Sequence, residues 1–78
     1  MIVYSKNKCQ KCRATKLQLT KYGVEYEEHN IDEEPEAREV VEALAKEKGY
    51  LSMPIVVLDD GTSWSDFQLE KIKEVAGK

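Results

Sequence analysis

Two thiols separated by two residues, Cys9-Gln10-Lys11-Cys12, are the side chains of this 78-residue chain best suited to chemistry, and they are its only cysteines. They follow an apolar run, Ile2-Val3-Tyr4, and stand at the start of a helical pattern that begins near Lys11. Thiols so placed can close into a small disulfide and reopen. A helix N-terminus offers unpaired N–H groups and the positive end of a dipole, and both favour thiolate over thiol. Lys6, Lys8, Lys11, Arg13 and Lys16 surround the pair, and no acidic residue precedes Glu25. The thiolate is the species that attacks disulfides, so the segment reads as a dithiol redox centre.

Two other uses of the pair compete. As a structural staple it gains little, because so short a loop contributes roughly 2 kcal/mol of chain entropy before ring strain is subtracted. As part of a tetrahedral zinc or iron–sulfur site it needs about four ligands, and the chain adds only His29. Such a metal would have to be shared between subunits, so no metal ligands are assigned within one chain.

Seventy-eight residues suit one domain, taken as 1–78. A charged content of 35% beside 41% hydrophobic residues fits a globular fold and excludes a disordered one. No apolar run approaches a membrane span, and Met1 leads directly into the first apolar run, so a leaderless, cytoplasmic protein with a transient disulfide is expected. Residues 1–24 hold six basic side chains and no acid. The remainder holds six basic and 15 acidic ones, a local balance of −9. The cationic block coincides with the thiols, where it would favour thiolate and attract an acidic partner segment. Nucleic acid fits poorly, because the whole chain is acidic and no aromatic residues interleave with the lysines.

The elements that must position the thiols can be read in order. Ile2 to Tyr4 predicts a short buried strand, and a helix follows from about Cys9 to Tyr22 with Gly23 where a C-terminal cap belongs. Val24 to His29 predicts a second strand. Asp32 is placed to cap a second helix with Pro35 in its first turn. Ala37, Val40, Val41, Leu44 and Ala45 form its apolar stripe. Pro54 to Leu58 predicts a central strand, Asp59-Asp60-Gly61 a hairpin turn, and Thr62 to Trp64 a short fourth strand. Ser65 or Asp66 then caps a last helix whose Leu69, Ile72, Val75 and Ala76 face inward. The fold class is α/β, ordered βαβαββα, with a four-stranded mixed sheet and three helices. The first βαβ unit is parallel, and Cys9 sits at a strand's C-terminal end, where open α/β sheets place their chemistry.

This arrangement resembles the thioredoxin superfamily in its smallest, glutaredoxin-like form, and more narrowly the NrdH-redoxins. Three pieces carry the resemblance. They are Tyr4-Ser5-Lys6 leading to the cysteine pair, Ser52-Met53-Pro54 before a strand, and Trp64-Ser65-Asp66-Phe67 opening the last helix. The resemblance implies a thiol-disulfide oxidoreductase that carries electrons to cysteines near the C-terminus of a class Ib ribonucleotide reductase. It implies reduction by NADPH-dependent thioredoxin reductase rather than by glutathione. The chain departs from the family pattern at Gln10-Lys11, where an apolar residue and Gln are common, at Asp66, where Gly is usual, and at Gln68-Leu69, where Arg-Pro is frequent. Glutathione-binding glutaredoxins carry a Gly-Gly pair and an acidic pair in this same region.

Cys9, nearer the helix start, is the expected nucleophile, and Cys12, one turn in, the resolving thiol. Lys6 and Lys8 are candidates for stabilising the thiolate. Pro54 at the start of a central strand spares the ladder a missing donor. The resemblance further implies a cis Met53–Pro54 bond beside the dithiol, with the backbone of Met53 open to an extended peptide. Trp64 is read both as a core residue and, through the resemblance, as part of a docking surface with Ser65, Asp66 and Phe67. His29 is expected at a strand end, away from the thiols. No bound cofactor is expected beyond the redox-active Cys9–Cys12 disulfide, and the chain is expected to act as a monomer. A glutathione-dependent glutaredoxin and a metal- or iron–sulfur-bridged dimeric carrier are the alternative functions.

Overall fold

Alternation along the first strand decides the layering. Val3 and Tyr4 are adjacent and both buried, and in a strand adjacent side chains leave on opposite faces. Each face must therefore be covered by helices. The computed structural model describes residues 1–77. It orders them as β1 (Ile2–Ser5), α1 (Gln10–Lys21), β2 (Glu27–Asn30), α2 (Pro35–Lys48), β3 (Ile55–Val57), β4 (Ser63–Ser65) and α3 (Leu69–Ala76). The sheet runs β2-β1-β3-β4, with β1 and β2 parallel and both other pairings antiparallel. This is the expected βαβαββα arrangement, with β3 in the interior of the sheet.

On one face Val3, Val56 and Trp64 pack with Leu19 of α1 and Ile72 of α3. On the other, Tyr4 and Ile55 pack with Ala37 and Val41 of α2. The sheet is thus enclosed by two helices on one side and one on the other.

The ends of α1 follow from its sequence. Gly23 takes the left-handed conformation at φ 72°, which glycine adopts without a Cβ penalty. Its N–H bonds the Thr20 carbonyl, and the Val24 N–H bonds that of Leu19, closing the last turn. The same closure delays β2. Val24 and Tyr26 turn onto the core before pairing begins, so the strand starts at Glu27 rather than Val24. Two expected caps are corrected. Glu34 and Gln68 occupy the N-cap positions of α2 and α3, and neither makes a side-chain cap bond. Asp32 and Asp66 are drawn instead into contacts around the cysteine loop. Val40, placed on the buried stripe of α2, is 43% exposed, because that helix covers the sheet mainly through Ala37 and Val41.

Candidate active site

The pairing registers bring three segments to one end of the sheet. Ser5 closes β1, Tyr4 lies opposite Ile55 at the start of β3, and Ile55 lies opposite Ser65 at the end of β4. The loop after β1, the Met53–Pro54 step and the segment opening α3 therefore converge.

Cys9 is the N-cap of α1, in extended backbone at φ −113°. Its Sγ accepts the Cys12 N–H at 3.1 Å, so the sulfur stands where a capping oxygen would. Cys9 and Cys12 are joined by a disulfide, with Cα atoms 5.3 Å apart. Their environments differ. Cys12, within α1, is 1% exposed, whereas Cys9 is partly exposed. A charge on Cys9 Sγ would meet a helix N-terminus and an aligned N–H, while a charge on Cys12 would be buried.

Beside Cys9 lies an open hollow of about 430 Å³, bordered by Lys6, Gln10, Lys11, Leu51, Ser52 and Met53. Leu51 is 98% exposed on its rim. The Met53–Pro54 bond is cis. Lys6 borders the hollow, and Lys8 is exposed in a left-handed backbone at φ 54°. Neither lysine is held in an ion pair or hydrogen bond among the described residues. Lys16 is committed elsewhere, to Glu28 at 2.7 Å.

Asp66 joins the other two segments. Its N–H donates to the Pro54 carbonyl at 2.9 Å, and its Oδ1 accepts the Phe67 N–H at 2.7 Å and pairs with Lys11 Nζ at 3.1 Å. The Phe67 N–H, and then Lys11, hold its carboxyl below the usual carboxylate range. Asp66 takes φ 72°, a region in which Asp is enriched among non-glycine residues. Phe67 is 36% exposed, and Ser65 accepts Gln68 Nε2 at its carbonyl, 2.7 Å. Trp64 is 4% exposed and packs in the core, its indole N–H without a partner among the described residues.

A layer of polar ties behind the cysteine loop is absent from the sequence reading. The Asn7 N–H donates to Asp32 Oδ2 at 2.8 Å, and Asn30 Nδ2 donates to Asn7 Oδ1 at 2.9 Å. Arg38 holds the other oxygen of Asp32 at 3.0 Å. Ser5 Oγ and Lys16 Nζ both donate to Glu28 Oε2 at 2.7 Å, tying β1, β2 and α1 together. Lys16 chiefly, and Ser5, draw the Glu28 carboxyl down against the effect of burial. The loop is therefore braced at Asn7 against Asn30 and Asp32.

His29 stands opposite Tyr4 on β2, between Glu34 at 2.8 Å and Glu27 at 3.3 Å, and takes no part in the cysteine site. Among the described residues no group of three or more His, Cys, Asp and Glu could hold a metal ion, and no helix is long and apolar enough to cross a membrane.

Known proteins share this architecture. The glutaredoxin family model matches residues 1–62. The glutaredoxin-like protein NrdH of Escherichia coli is 34% identical over 73 residues, covering 94% of this chain and 84% of that protein. The protein of that name from Lactococcus lactis subsp. lactis is 35% identical over 74 residues, covering 95% and 96%. The solved structure of the Escherichia coli NrdH-redoxin, a glutaredoxin-like protein described as having a thioredoxin-like activity profile, superposes with a TM-score of 0.81 at 34% identity. That alignment covers 95% of this chain and 91% of the other.

Proposed function

The chain belongs to the glutaredoxin family, in its NrdH-like branch, and is a thiol-disulfide oxidoreductase; we propose that it is a dithiol electron donor to a class Ib ribonucleotide reductase, reduced in turn by NADPH-dependent thioredoxin reductase in the cytoplasm. One observation carries the chemistry: Cys9 is partly exposed with its sulfur capped by an N–H, and Cys12 is buried one turn away.

In the forward direction the Cys9 thiolate attacks one sulfur of a target disulfide. A mixed disulfide forms, and the other target sulfur leaves as thiolate. Cys12 then gives up its proton to solvent and attacks Cys9 Sγ. The second target sulfur leaves, and two electrons have passed to the target. The product is the Cys9–Cys12 disulfide. Lys6 and Lys8, without a partner among the described residues, add positive potential near Cys9. Met53 borders the hollow beside Cys9, with Pro54 next in the chain. Asp66 reaches the rim by pairing with Lys11, with Ser65 and Phe67 on either side, and Trp64 is buried in the core.

The choice of reductant rests on Asp66 and on the residues after it. No acidic pair stands at Gln68-Leu69, and the carboxylate of Asp66 is already engaged by Lys11 and the Phe67 N–H. A charge-assisted contact to the amino group of glutathione, worth about 1.5–3 kcal/mol where desolvated, would have only the remaining oxygen of Asp66, on a 42% exposed side chain, in place of an acidic pair. The deciding experiment is NADPH-coupled turnover, run in parallel with thioredoxin reductase and with glutathione plus its reductase. Turnover with the first and slow turnover with the second is the expected result. Comparable turnover with glutathione, abolished by Asp66→Gly, would make the chain a glutathione-dependent glutaredoxin and sink the proposal.

A further inference from the structure

Lys11 lies inside the dithiol motif and borders the same hollow as Cys9, yet its ammonium is held by Asp66. We propose that Asp66 is a positioning residue for the redox centre: it competes with the Cys9 thiolate for Lys11, and so keeps the dithiol a stronger reductant than the basic segment alone would make it. The proposal rests on Cys9 being the attacking thiol.

The carboxylate is the fixed member of the pair. Asp66 is tethered three ways, through its N–H to Pro54, through its Oδ1 to the Phe67 N–H, and through a left-handed backbone that sets its direction. Lys11 is the mobile member, a point charge on a flexible four-carbon stem. Its place one residue before Cys12 keeps the ammonium near the mouth of α1 whichever anion it pairs with.

Reduction creates the second anion. A dithiol donor passes two electrons to the disulfide, the S–S bond breaks, and the donor closes its own disulfide. Of the two protons released, one goes to Cys12 and the other to solvent, leaving a thiolate on Cys9. Whatever stabilises that thiolate stabilises the reduced form and makes the protein a weaker reductant. Lys6, Lys8, Lys11 and Arg13 all act in that direction, with no acidic residue nearby in sequence. Asp66 is the carboxylate that the fold pairs with a lysine of this cluster, whereas Asp32 meets the loop at the Asn7 N–H and has its other oxygen on Arg38. The side chains of Lys11 and Asp66 are 56% and 42% exposed, so the coupling is water-screened and amounts to a few-fold effect.

Asp66→Asn tests this, because Asn retains the tolerance for left-handed backbone while losing the charge. In low salt the titration midpoint of Cys9 alkylation should move to lower pH. The equilibrium constant against a thiol-disulfide redox buffer should shift about threefold toward the reduced form. Both shifts should shrink in 1 M salt. In a Lys11→Gln background the same substitution should have little effect, since the competed-for cation is gone. Asp66→Gly should reproduce the Asn result, which separates charge from backbone. Unchanged midpoint and redox equilibrium in Asp66→Asn would overturn the proposal alone, as would a shift of equal size without Lys11. Alkylation falling on Cys12 would overturn both this proposal and the assignment of the attacking thiol.

Discussion

Removing each cysteine in turn should expose a large asymmetry between them. Cys12→Ser leaves Cys9 with its capping N–H, since position 12 supplies that donor from its backbone. A free thiol titrating near ~8.5 is about 3% thiolate at pH 7. The helix dipole contributes about 0.3–1 kcal/mol and a hydrogen bond to a charged acceptor about 1.5–3 kcal/mol. The low ends together, roughly 2 kcal/mol, raise the thiolate fraction at pH 7 about fifteenfold. Nucleophilicity falls with basicity, by roughly fivefold over that span, so Cys9 should alkylate about threefold faster than a free thiol. In Cys9→Ser the remaining thiol is only 1% exposed. It must open to react, and an opening of about 3 kcal/mol slows it roughly a hundredfold. Iodoacetamide alkylation followed by mass spectrometry between pH 6 and 9 (about the range in which thiols titrate) measures both rates. With a disulfide target, Cys12→Ser should accumulate a mixed disulfide and Cys9→Ser should not. Equal rates, or an adduct trapped in Cys9→Ser, would refute the assignment of roles.

Three further outcomes follow from the packing and the charges. Ile72→Ala, which empties the contact between α3 and the sheet, should cost about 2–5 kcal/mol in urea unfolding while leaving alkylation of the reduced protein unchanged. The His29 pKa is raised, first by Glu34 and then by Glu27. Its stabilising contribution is therefore full below the ordinary value of 6.5 and is lost as pH climbs through the raised folded value, and His29→Gln should remove that alkaline decline in urea midpoints. The Glu28 pKa is lowered, chiefly by Lys16, so its contribution is present above the ordinary 4.5 and is lost as pH falls through the lowered folded value. Glu28→Gln should flatten that acid limb, which acid titration of the fold by circular dichroism reads directly.

Most of the architecture was legible because each element carried its own signal. The run Ile2-Val3-Tyr4, the glycine after α1 and the apolar run at Ile55–Val57 are local patterns, and the local energetics agree with the final fold. The parallel first unit and the antiparallel hairpin followed from chain connectivity, while the sheet order β2-β1-β3-β4 came with the structure. A parallel crossover from β1 to β2 and a hairpin from β3 to β4 leave few ways to build four strands. The cysteine pair, the step before Pro54 and the segment from Trp64 to Phe67 were each identifiable in one dimension, and the pairing registers bring them together.

What stayed hidden is polar and non-local. Asp32 has the type and position of a helix cap, but a carboxylate takes the best donors within reach, and the fold offers it the Asn7 N–H and Arg38. Capping by Asp32 would compete with those contacts, and α2 begins instead after Glu34, with Pro35 supplying a preset φ at its first turn. The same competition moves Asp66 from the cap of α3 to the mouth of α1. There its carboxylate meets Lys11, 55 positions earlier in the chain, and no periodicity connects the two residues. Charge blocks mislead for the same reason. Read along the chain, residues 1–24 are purely basic, yet in space Glu28 neutralises Lys16 and Asp66 neutralises Lys11. On the proposed reading, the potential at Cys9 depends on the basic residues without an ion pair among the described residues, Lys6, Lys8 and Arg13, more than on the length of the basic run. Replacing Lys6 or Lys8 with Gln should slow Cys9 alkylation more than replacing Lys16, which stands in the same block with its charge already answered.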